Sequence, residues 1–135
     1  MAAPAAELQK AIFETLGADS ALVAALGGAR IYDQPPKNVA SPYITFGRTS
    51  VYDWTTGSEL DSEQLFTLHV WSKAKGDTEA LEIMEIVRAR LADSSLPLDG
   101  REPVRLTLQF AEARYDEDLA VHHGLLRFRA VSEAG

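Results

Sequence analysis

Residues 64–72 read Gln-Leu-Phe-Thr-Leu-His-Val-Trp-Ser, a run of apolar, β-branched and aromatic side chains that predicts a strand. Successive side chains on a strand point to opposite faces, so Phe66, Leu68 and Val70 share one face and Leu65, Thr67, His69 and Trp71 the other. Apolar groups on both faces predict a central strand with material packed on each side, and they put Trp71 in the core. Directly downstream the period changes. Leu81, Met84, Val87 and Leu91, with Ala80 and Ile83, form an apolar stripe opposite Glu82, Glu85, Arg88 and Arg90, which predicts a helix over 77–93. Asp77 is the expected N-cap, and Glu79 and Glu82 complement the positive end of the helix dipole. A strand followed by a helix with a wide apolar stripe buries that stripe across a sheet.

Upstream, Tyr43–Gly47 and Thr49–Trp54 predict one long strand, bent or bulged near Gly47. The polar connection from there to Gln64 contains Gly57 and is too long for a two-residue turn, so it predicts a projecting loop. Trp54 at its start is either core or interface, since aromatic residues are enriched in interface cores. Together with Glu59 and Asp61 it is an interface candidate. Beyond the helix, residues 94–100 read as a loop rich in turn-forming residues. Val104, Leu106, Leu108 and Phe110 alternate with Arg105, Thr107 and Gln109, as in a half-buried strand. The alternation slips between Ala111 and Tyr115, at a bulge or a strand end. Asp116-Glu117-Asp118 is an acidic turn, and Val121–Val131 returns as the last strand of a hairpin.

The N-terminal part reads as two short helices. Pro4 suits a first helical turn, Leu8, Ala11, Ile12 and Leu16 recur at helical spacing with Phe13 beside them, and Gly17 offers a stop. Asp19 or Ser20 can cap a second helix, Ala21–Leu26, which Gly27-Gly28 ends. Arg30–Asp33 is a short extended stretch before Pro35-Pro36. The expectation is one α+β domain over residues 1–135, in the order αα-β-β-β-α-β-β. Its mostly antiparallel sheet carries one long helix across a face and two short N-terminal helices, and the exposed sheet edges are available for assembly.

Composition narrows the function. The 135 residues are 46% apolar and 24% charged, ordinary usage for one globular domain. The absence of cysteine excludes disulfide scaffolds, thiolate metal sites and cysteine nucleophiles. Thirteen basic residues against 20 acidic ones give a formal net charge of -7, which disfavours nucleic-acid binding. No apolar run approaches the roughly 20 residues of a membrane span, and Met1–Ala6 lacks the pattern of a signal peptide. A soluble, intracellular domain with no membrane partner is expected.

Chemistry is sparse. His122 and His123 are adjacent, so on a regular strand they face apart and cannot chelate one ion together. A metal site would need Asp116, Asp118 or His69 nearby. The acidic turn lacks the EF-hand pattern, and no glycine stands in a phosphate-cradling motif or serine in a nucleophile elbow. No catalytic residue, cofactor or metal is expected. Arg127 and Arg129 share one face of the last strand, opposite Leu126, Phe128 and Ala130. That face is either solvated or set to form salt bridges with an acidic neighbouring subunit.

Several blocks together resemble a known family. They are Arg30-Ile31-Tyr32-Asp33, Pro35 and Ser41–Gly47; Leu68–Ser72 with Gly76 and Glu79-Ala80; and His123–Ala130, after the helix Leu8–Ile12. In order and spacing the chain is similar to the small tail-completion proteins of long-tailed bacteriophages. That family includes the tail terminators, or tail-to-head joining proteins, of siphophage-like particles and gene transfer agents. The resemblance implies a structural protein without catalytic residues. It implies a ring, usually of six subunits, that caps the head-proximal end of the tail tube, stops its polymerisation and docks to the head connector or stopper protein. DNA would pass through a negative lumen without specific binding. The implied location is the bacterial cytoplasm during assembly and then the neck of a phage-like particle. Another neck component, a head-completion or stopper protein, is the alternative within this setting. A small metal-binding enzyme using His122, His123 and nearby acids is the alternative outside it.

Overall fold

The run 64–72 lies at the middle of a six-stranded sheet in the computed structural model, which describes residues 4–56, 59–98 and 101–132, with side chains described for 5–51, 63–98 and 103–131. Three helices and six strands follow in the order α1 (Pro4–Gly17), α2 (Ser20–Leu26), β1 (Ile31–Tyr32), β2 (Tyr43–Thr56), β3 (Glu59–Ser72), α3 (Thr78–Leu91), β4 (Ser95–Leu98), β5 (Arg101–Asp116) and β6 (Val121–Ser132). The strand order across the sheet is β1-β2-β3-β6-β5-β4. β1 joins β2 in parallel, whereas β2–β3, β3–β6, β6–β5 and β5–β4 pair antiparallel. The fold is α+β, and β3 and β6 are its central strands.

Each helix is built from local rules and anchored by long-range ones. In α1, Leu8, Ile12 and Leu16 recur every four residues and are buried. This helix is as long as α3, 14 residues each, so the expectation of one long helix and two short ones is corrected. Its alanines, glutamates and lysine are strong helix formers, and they carry the helix through Gly17. Asp19 caps α2 by accepting the Leu22 N–H at 3.0 Å, and Gly27 ends it at a left-handed φ of 77°. Asp77 holds the N-cap position of α3, as expected, although its side chain makes no capping bond. Glu79 instead accepts from Ser72 Oγ at 2.7 Å and ties the helix start to β3.

The buried stripe of α3 is Ala80, Ile83, Met84, Val87 and Leu91, and Leu81 stands 46% exposed outside it. The helix faces the sheet through the line that meets Gly124 of β6. A Cβ at Gly124 would lie 2.5 Å from Met84 Sδ, so the absence of a side chain there lets α3 approach.

Two further expectations change at the strand level. The stretch 94–100, read as a loop, contains β4, and Leu96 within it is buried against the core. Pro97 falls at the register shift between Leu96 and Leu98, on an edge strand where a missing N–H is tolerated. The slip after Phe110 is not a strand end, because β5 continues to Asp116. The irregularity lies between Leu108 and Phe110. The bulge near Gly47 is present, between Phe46 and Thr49.

One core cluster joins Leu8, Ile12, Leu22 and Leu26 of the N-terminal helices, the α3 stripe, and Ile44, Phe66, Leu68, Leu106, Leu126 and Phe128 of the sheet. All of these strand residues point to the face the helices cover. The alternate residues of β3 and β6 form the other face, which no helix covers among the described residues. The expected two-sided cover of β3 is corrected, and that open face is where functional groups gather.

Candidate functional site

A row of rings crosses the open face at one level of the sheet. Strand register aligns Tyr43 of β2, Trp71 of β3, His123 of β6 and Arg114 of β5. The Trp71 and His123 rings are parallel within 2° and 4.1 Å apart. Tyr43 lies 6.4 Å beyond Trp71, and Tyr32 meets Tyr43 edge-on at 6.3 Å. The Trp71 indole N–H donates to Thr45 Oγ1 at 2.9 Å, which fixes its ring in the row. Trp71 is therefore a half-buried member of a surface stack and not a core residue as expected. The apolar content of this face goes into ring stacking.

His69 sits two residues along β3 from Trp71, on the same face. Its Nδ1 is 2.6 Å from Nε2 of His123, a hydrogen bond in which one imidazole donates and the other accepts. The bulge in β2 makes room for it: a Cβ at Gly47 would lie 2.3 Å from His69 Nε2. Burial, reinforced by the neighbouring His123, holds His69 below the ordinary histidine range. Burial also lowers His123, with the Arg114 guanidinium adding to the effect and Asp116 and Glu112 partly opposing it. His122 points the other way and packs against Tyr115 at 4.9 Å. Among the described residues no group of three or more His, Asp or Glu could hold a metal ion.

This pair has a pH consequence whose sign is definite. Unfolded imidazoles take up protons near pH 6.5, whereas the folded pair takes them up only at lower pH. Between those values the unfolded chain binds more protons, so stability is present above about pH 6.5 and is lost as pH falls. Thermal melts between pH 7.5 and 5.0 should show a fall in melting temperature that is smaller in His69→Gln. Equal slopes in the two proteins would remove the pair from the pH response.

A depression of about 410 Å³ opens beside His69, where the β2 bulge, β3, β6 and the β5 irregularity converge. Leu65 and Leu125 line it together with Arg48 and Arg127. Arg127 lies 5.8 Å from the centre of the Phe110 ring, a cation–π contact that holds its guanidinium over the face. Five arginines occupy this face by register or lining: Arg48, Arg105, Arg114, Arg127 and Arg129. Three described carboxylates, Glu63, Glu112 and Asp116, share it. Among the described side chains of this face the arginines outnumber the carboxylates, in a chain of net charge -7.

The expected interface residues divide. Arg127 and Arg129 do share a face, but Arg129 bonds Glu63 across the β3–β6 pair. Arg127 has no carboxylate partner among the described residues. Trp54 pairs with Asp61, and Thr56 with Glu59, in the backbone register of β2 and β3. The side chains of Trp54, Glu59 and Asp61 lie outside the described residues. Sequence reasoning passed over Arg48, and it named His69 as a possible neighbour of His122 and His123 without showing that His69 and His123 meet. The only signal for Arg48 was its place next to the predicted bulge; the histidines are 54 positions apart, and only strand register brings them together.

Comparison with known proteins completes the description. The family model described as tail completion protein gp17 matches residues 10–133. A chain from the virion of a native gene transfer agent (GTA) particle is 30% identical, with 98% of each chain covered and a TM-score of 0.86. The gp17 protein of bacteriophage SPP1 is 24% identical over 96% of this chain and 91% of its own, with a TM-score of 0.65, a likeness of fold. Among curated proteins none matches.

Proposed function

This chain belongs to the tail completion protein gp17 family, and on that premise we propose that it is a structural tail terminator of a phage-like particle. The reading is carried by the full-length similarity to a chain of a gene transfer agent virion, 98% of both chains at a TM-score of 0.86. In this role copies of the chain form a ring, six in number, on the head-proximal end of the tail tube. The ring's lower surface fits the last layer of tube protein, and its upper surface meets the head connector or stopper protein. A growing tube presents the same adhesive surface after every layer. Growth stops only when a subunit binds that surface without offering a copy of it, so termination is a matter of shape and charge and needs no catalysis.

The acidic balance suits this place. DNA moving through a ring of net negative subunits meets repulsion instead of adhesion. No helix among the described residues is long and apolar enough to cross a membrane. Assembly in the bacterial cytoplasm, followed by residence in the particle neck, is part of the same proposal.

Deleting the gene tests it. Particles made without the protein should carry tubes of uncontrolled length, or tubes that fail to join DNA-filled heads, while head filling continues. Electron micrographs of the lysate with normal tails on full, infectious or transducing particles would overturn the reading. Empty heads would indicate a packaging role instead.

A further inference from the structure

The open sheet face has a depression lined by arginines and leucines, and the same chain has an exposed tip that matches it in both respects. We infer that the depression between Arg48 and Arg127 receives the acidic β5–β6 turn, Glu117-Asp118-Leu119, of a second copy of this chain. The inference rests on the ring reading above and assigns the surfaces by which neighbouring subunits meet.

The chemistry on each side is specific. Arg48 and Arg127 have no carboxylate partner among the described residues, and Leu65 and Leu125, which line the depression with them, are only partly buried. At the turn, Glu117 and Asp118 are exposed and have no cationic partner among the described residues. Leu119 is 61% exposed and Tyr115 beside it 51%, the two most exposed of the chain's large described apolar side chains. Two carboxylates next to an exposed leucine complement two guanidinium groups that line the depression together with two leucines. Arginine is suited to such pairing because its planar fork binds carboxylates bidentately.

The turn has a set shape of its own. Asp116 Oδ1 accepts the Leu119 N–H at 3.0 Å, and Ala120 takes a left-handed φ of 53°. A tip held this way loses little freedom on docking.

A chain cannot satisfy its own depression with this turn. Arg127 lies six residues along β6 from Val121, roughly 20 Å at the rise of an antiparallel strand. The turn must therefore come from another copy. Contact between one surface and a different surface of the next subunit is heterologous, the type that closes into rings. Charge supplies the direction: the positive face of one copy meets the negative tip of the next, and face-to-face or tip-to-tip contacts are repulsive.

Particle production with charge-reversed variants tests the assignment, with circular dichroism confirming that each variant is folded. Arg48→Glu/Arg127→Glu should lower the yield of infectious or transducing particles by at least about a hundredfold, and so should Glu117→Arg/Asp118→Arg. Co-expressing the two variants should restore yield, because each turn then meets a face of opposite charge in an alternating ring. Variants that both give normal yield, in a strain where deletion of the gene abolishes particles, would overturn the docking and leave the terminator reading standing. If the depression contacts DNA phosphates instead, the face variant alone fails, the turn variant is silent and co-expression restores nothing beyond it. A deletion without effect would overturn the terminator reading itself.

Discussion

Met84→Asp is expected to abolish cooperative folding. Met84 is 6% exposed at the centre of the α3 stripe, and its sulfur sits over Gly124 of the sheet. An aspartate there would place a carboxylate among apolar groups with no described cation to pair with it. Burying an unpaired charge, or shifting its ionisation to avoid doing so, costs several kcal/mol. That is comparable with the whole stability of a domain of this size. Near-ultraviolet circular dichroism should lose its fine structure, and thermal melts should lose their cooperative transition. Met84→Leu, a swap close to equal volume, should retain both. Leu81→Asp provides the internal contrast. Its side chain is half exposed on the next face of the same helix, so the melt should move little. A cooperative, soluble Met84→Asp protein would mean that α3 turns a different face to the sheet.

The second large effect is expected at Phe128. This ring is fully buried on β6 and lies 5.3 Å from Phe66 of β3, the two planes within 14°. It contributes to the contact of both central strands with the helix layer. Phe128→Ala should cost about 3–5 kcal/mol, the transfer of the ring plus the cavity it leaves. Phe110, on β5, is 44% exposed on the open face, so Phe110→Ala should cost far less. Denaturant titrations read the difference: a large fall in midpoint for Phe128→Ala, a small one for Phe110→Ala, and similar slopes for both. Equal losses would show that the open face is covered and contributes to the core as the helix face does.

The two phenylalanines illustrate what a sequence can carry. Phe128 alternates with Arg127 and Arg129, and Phe110 with Gln109, so both read as inward-facing residues of half-buried strands. For Phe128 the inference holds. For Phe110 it fails, because the irregularity between Leu108 and Phe110 shifts the strand by a residue and turns Phe110 to the other face. A one-residue shift exchanges the faces of every residue that follows. The alternation does slip in the sequence, but its point of origin lies before the place where the slip becomes visible.

Helix periodicity, strand alternation and turn residues were legible because they depend on neighbours a few positions apart. Leu8, Ile12 and Leu16 mark a buried face of α1, Asp19 and Gly27 bound α2, and the bulge near Gly47 follows from a glycine within a strand. These, with the acidic net charge, the absence of cysteine and the ordered blocks that resemble tail-completion proteins, belong to the sequence by itself. The rest was decided by strand pairing and packing at a distance. β4 forms because β5 offers it an edge, although Pro97 argues locally against a strand. Met84 packs onto the sheet where Gly124, 40 positions later, leaves it space, whereas Leu81 of the same sequence stripe stays half exposed. Trp71 and His123 stack, His69 meets His123, and Arg48 stands opposite Arg127, because the β2–β3–β6 register brings together residues that no local pattern links. Local interactions determine which way a side chain can point; only long-range pairing determines what it meets there.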